Sequence, residues 1–122
     1  MRRFYEVTEY AESLGLGVSI TKSEGGDRPW LSAIITHGIP VGDVRNGLGV
    51  CLSAEAVLVT AILGLSGRWI TRISTVNHMD GNKPRQVTLS AVRSRLKAMS
   101  ESKADYYASI NDPYYTRLGG AR

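Results

Sequence analysis

The sequence predicts an α+β fold in which a three- to four-stranded antiparallel sheet is packed by helices. Three observations carry this reading. Residues 3 to 14 place Phe4, Val7, Tyr10, Ala11 and Leu14 at the spacing of one helical face. Residues 16 to 23 and 30 to 37 are strand-like runs separated by "EGGDRP", a turn rich in glycine and closed by proline. Residues 54 to 65 carry a broad apolar stripe and read as the helix at the centre of the core. The chain has 122 residues, the length of one domain, and 1–122 is read as such.

In chain order, the first helix is stopped by Gly15 and Gly17, as by a C-terminal cap. In "LGVSITKS", Leu16, Val18 and Ile20 alternate with Gly17, Ser19 and Thr21, the pattern of a half-buried strand. "WLSAIITH" completes a hairpin, and His37, at its end before Gly38, reads as a surface or turn histidine. After a loop over residues 38 to 47, "LGVCLS" reads as a short third strand. Ser53 is placed to cap the apolar helix that follows, with Glu55 in its first turn where the helix dipole favours negative charge. The alternation over residues 68 to 76 predicts a further strand. A loop then leads to a second amphipathic helix from Leu89 or Ser90, with Val92, Leu96 and Met99 on its apolar face. The tail from residue 106 carries two tyrosine pairs, Tyr106–Tyr107 and Tyr114–Tyr115, around the turn residues Asn111, Asp112 and Pro113.

Composition narrows the chemistry. One cysteine, Cys51, allows no internal disulfide and no multi-cysteine zinc site; set in an apolar run, it reads as a small buried hydrophobe. No run of 18 apolar residues is present, so no membrane span is expected and an intracellular protein is. No metal site and no cofactor are expected.

The order read over residues 3 to 66, with "WLSAII", Gly47-Leu48-Gly49 and "SAEAVLVTAIL", is similar to the α-β-β-β-α pattern of the double-stranded RNA-binding domain. It also looks like the core of small HicB-type antitoxins. The RNA-binding resemblance implies a lysine cluster at the start of the last helix, facing phosphates. Here that position reads Ser53, Ala54, Glu55, Ala56 and Val57. The resemblance therefore covers the architecture and not the contact residues.

"VNHMDGNKPRQ", residues 76 to 86, resembles the strand and loop of small phage-type HNH homing endonucleases. That resemblance implies His78 as general base on water, beside a divalent metal. Asp80, Gly81, Asn82 and Lys83 match the loop. Asn77 stands where an aspartate or histidine would bind metal better, and Arg85 and Gln86 replace the family's paired asparagines. His78 keeps the base and loses the ligands, so the loop reads as a turn presenting Lys83 and Arg85.

Charge is distributed unevenly. The net charge is +4, but residues from Gly67 onward hold ten basic against four acidic side chains, while the first 66 hold five against seven. Cations attract phosphate and tyrosines stack on bases. The leading expectation is thus a non-enzymatic, phage-like binding protein contacting nucleic acid or a nucleoprotein through Lys83, Arg85, Arg93, Arg95, Lys97, Tyr106, Tyr107, Tyr114 and Tyr115. Two alternatives stand beside it. One is an inhibitor or adaptor that binds another protein, with the tyrosine-rich tail as its anchor. The other is a metal-dependent nuclease. For the last, the loop chemistry gives a clear expectation. Plasmid nicking in magnesium or manganese should stay at background for both the native chain and His78→Ala; nicking by the native chain that His78→Ala abolishes would establish the nuclease.

Overall fold

The computed structural model describes residues 2–23, 25–38, 55–77, 81 and 83–110. Helix α1 (Arg2–Ser13) leads into strands β1 (Gly17–Lys22), β2 (Trp30–Thr36), β3 (Glu55–Leu63), β4 (Trp69–Asn77) and β5 (Arg85–Gln86), and α2 (Leu89–Ile110) closes the order. The strands form one antiparallel sheet in sequential order. The α+β class, the first hairpin, the strand over residues 69 to 77 and the start of the final helix match the sequence reading; that helix runs on to Ile110 and takes in Tyr106 and Tyr107, which the sequence places in the tail.

The apolar stretch at residues 54 to 65 does not. Its described part is β3, a central strand paired with β2 on one side and β4 on the other. The run reads as a helix because apolar residues occupy both faces, so any period finds matches. Two features favour a strand: Val57, Val59, Thr60 and Ile62 are β-branched, and Val57, Val59 and Ala61 are fully buried at a spacing of two. The core is therefore built on a five-stranded sheet, and residues 3 to 66 do not follow the α-β-β-β-α order. The expected strand at residues 48 to 53 and the expected cap Ser53 lie outside the described residues.

Both helices pack on one face. Phe4, Val7 and Ala11 of α1 and Val92, Leu96 and Met99 of α2 join Ala33, Ile35, Val57, Val59, Ala61 and Ile73 of the sheet in a single buried cluster. Helix α1 ends in a Schellman-type cap. Leu16 N–H donates to Ala11 O at 3.1 Å and Gly15 N–H to Glu12 O at 3.0 Å, with Gly15 in the left-handed region at φ 77°. Thr88 caps helix α2: its Oγ1 accepts from Ala91 N–H at 3.2 Å. No described helix is long and apolar enough to cross a membrane.

The other face of the sheet carries no helix among the described residues. Register places Trp30, Ile62 and Ile70 in one row across three strands, and Ile34 beside Leu58 in another. Trp30, Ile34, Ile62 and Ile70 are 41–53% exposed. The two faces should respond differently to truncation. In urea denaturation, Leu96→Ala should lower the unfolding free energy by about 2–5 kcal/mol. Ile70→Ala should cost about 0.5 kcal/mol. Equal losses would show that the second face is covered in solution.

Candidate functional site

Alternation along β2 carries past the strand end: Ala33 and Ile35 point into the core, and His37 follows them. Ile35 is opposite Val57, so the same register sets His37 beside Glu55, the first residue of β3. Asn77 of β4 lies across from Glu55 on the other side. His37, Glu55 and Asn77 thus form one row at the end of the sheet, on the face that the helices cover.

The backbone fixes this end. Gly38, at φ 74°, lies so close to Gly17 that a Cβ on Gly17 would come within 2.8 Å of Gly38 Cα. Gly38 N–H also donates to Thr36 Oγ1 at 3.2 Å. The residue after His37 is therefore held against the start of β1, and a side chain at either glycine would force them apart.

Helix α2 closes the site from above. Arg95 Nη1 donates to Glu55 Oε2 at 2.9 Å; the Arg95 side chain is 53% exposed and that of Glu55 only 10%. His37, Glu55, Arg95, Ala98, Met99 and Ser102 line a cavity of about 240 Å³. Within it, His37 Nε2 and Glu55 Oε1 are buried without a hydrogen-bond partner. His37 is 7% exposed, which corrects its reading as a surface or turn histidine. Its pKa is lowered, first by burial; Glu55 pulls it up and Lys103 pushes it down. The signal available in sequence was the alternation of Ala33, Ile35 and His37. Glu55 is not legible as its neighbour, because the two-sided apolar segment that follows it reads as a helix.

The residues expected to form a basic contact surface are dispersed. Arg93 stacks over the Tyr10 ring at 5.6 Å, joining α2 to α1. Arg95 faces the opposite flank and is bound to Glu55. Lys103 Nζ donates to Gly15 O at 2.6 Å, capping α1, and Ser100 Oγ donates to Leu14 O at 3.3 Å. Lys97 is exposed, but Glu101 and Asp105 follow it along the exposed side of the helix. Lys83 is exposed, and Arg85 sits on the edge strand β5. Tyr106, 3% exposed, belongs to the packed interior, with Tyr107 edge-on to it at 5.5 Å. His78, Tyr114 and Tyr115 lie outside the described residues. Among the described residues, no three His, Cys, Asp or Glu side chains gather where they could hold a metal.

No family model, no curated protein and no solved structure matches this chain.

The buried imidazole makes stability depend on pH. Its folded pKa lies below the unfolded value of 6.5, so the unfolded chain takes up the proton first as pH falls. His37 should therefore contribute full stability above about pH 6.5 and lose it as acid approaches the lower folded pKa. Thermal unfolding between pH 8 and 5 should show a decline that is shallower in His37→Gln; parallel profiles would remove His37 as its source.

Proposed function

We propose that this chain is a binding protein that docks another protein on the open face of its sheet. One observation carries the reading: among the described residues of that face, Arg72 alone is charged. The rest are Trp30, Ile34, Leu58, Ile62, Ile70 and Val76, with alanine, glycine, glutamine, serine and threonine between them. A solvated sheet face alternates with charged side chains, whereas interface cores are depleted of them. Exposed apolar residues aligned in rows, with a tryptophan among them, match a protein contact.

Chemistry also narrows the partner. Leu65, at the β3–β4 turn, is 89% exposed. Exposed Arg28 and Arg68 flank the same end, with Arg72 on the face itself and Asp27 as an opposing charge. The complementary surface is apolar with an acidic border. Single strands of nucleic acid favour several stacked aromatics in a cationic groove. Among its described residues this face offers one aromatic, Trp30, and its other large apolar side chains are aliphatic.

Photo-crosslinking separates these readings. A benzoylphenylalanine placed at Ile62, and in a second chain at Lys97, is irradiated in cells of the native source, and adducts are identified by mass spectrometry. The expected result is a defined protein captured from position 62. That protein, purified, should bind the native chain and lose at least about tenfold in affinity (about 1.4 kcal/mol) with Ile70→Glu, while Lys97→Glu leaves binding unchanged. Circular dichroism confirms that the variants remain folded. Capture of nucleic acid, of a second copy of the chain, or of a partner from position 97 alone would overturn the proposal.

A further inference from the structure

We infer that the outer edge of β1 is a self-association surface, on which a second copy of this chain adds its own β1 as an antiparallel neighbour. The edge is separate from the open face, where Ile62 stands on β3, two strands inward.

The hydrogen-bond pattern decides which groups the edge presents. Ser23 N–H donates to Trp30 O at 3.0 Å, one step beyond the pair of Lys22 and Leu31. Bonding positions alternate along an antiparallel pair, so Thr21, Ser19 and Gly17 turn their backbone groups to β2. Val18, Ile20 and Lys22 turn theirs outward. Among the described residues no hydrogen bond reaches those outward groups, and β1 has β2 as its one neighbour.

Proteins blunt such edges with very short strands, proline, charge or bulges. The far edge of this sheet does so: β5 is two residues long, follows Pro84 and opens with Arg85. The near edge does not. The six residues of β1 pair with β2 in unbroken register and without proline, and their one charge, Lys22, stands at the last position. Ile20 lies on the helix-covered side, opposite buried Ala33, yet it is 44% exposed.

The strand is complementary to itself. Only pairing centred on Ile20 sets all the outward residues of both copies in hydrogen-bonded pairs, with Ile20 on the second copy's Ile20 and Val18 on its Lys22. Ile20 then covers its exposed surface with an identical side chain. Ser19 meets the second copy's Thr21 on the other side of the sheet, and like charges never stand opposite. A foreign strand shares only the backbone bonds. Six residues a side fall well short of the roughly 20–30 of a standard interface, so the association is weak and reversible.

Sedimentation equilibrium of the full chain from about 10 µM to about 1 mM tests this, together with amide hydrogen exchange. A monomer–dimer equilibrium is expected, half complete below about 0.5 mM. At the highest concentration the Val18, Ile20 and Lys22 amides should exchange about twofold or more slowly than in dilute solution. Ile20→Pro removes an outward N–H and no internal bond, and Ile20→Lys sets two ammonium groups together at the axis. Each should raise the dissociation constant at least about tenfold, with circular dichroism showing the native fold. Ile70→Glu, on the open face, should leave it unchanged. A chain still monomeric at about 1 mM would overturn the inference. So would a dimer weakened by Ile70→Glu and not by Ile20→Lys, or slowed exchange in β4 and not in β1.

Discussion

Strand β3 is hydrogen-bonded along both edges, and the rest of the structure depends on that two-sided pairing. Its Val57, Val59 and Ala61 provide the floor on which α1 and α2 sit, and its alternate residues Leu58, Thr60 and Ile62 form the middle of the open face. Every backbone polar group of a central strand must find a partner, which β2 and β4 supply over nearly its whole length. The same strand begins at Glu55 and so sets one wall of the cavity. Core, open face and cavity are three consequences of one register.

The cations show a second economy. A chain with excess positive charge in its C-terminal half would seem built for phosphate, yet Arg93, Arg95 and Lys103 are each engaged by the fold itself. They join α2 to Tyr10, to Glu55 and to the cap of α1. These contacts add to the core packing of Val92, Leu96 and Met99 and to the Ser100 hydrogen bond on Leu14 O in holding α2 against α1 and the sheet. A guanidinium over an aromatic ring and an ammonium on a cap carbonyl retain partial hydration, and so cost less to form than a fully buried ion pair.

Much of the fold was legible. Both helices follow from their one-sided apolar periodicity, and the first hairpin and β4 from short β-branched runs bounded by turn residues. Residues 55 to 63 escaped the same logic because both sides are apolar, and a two-sided apolar run satisfies helical and strand periods alike. The candidate sites were less legible for related reasons. His37 and Glu55 are distant in sequence and meet only through the β2–β3 register. The row Trp30, Ile62 and Ile70 spans three strands, so no local motif contains it. Charge counting found the cations and could not see that intramolecular partners had claimed several of them.

The contact between Gly17 and Gly38 has an architectural corollary. It pins the chain as it leaves the sheet, and β3 re-enters at Glu55 already paired with β4. A side chain at either glycine would push the start of β1 away from the end of β2. The loss would fall where the edge strand β1 meets the row of His37 and Glu55, so two residues without side chains hold the corner on which that row stands.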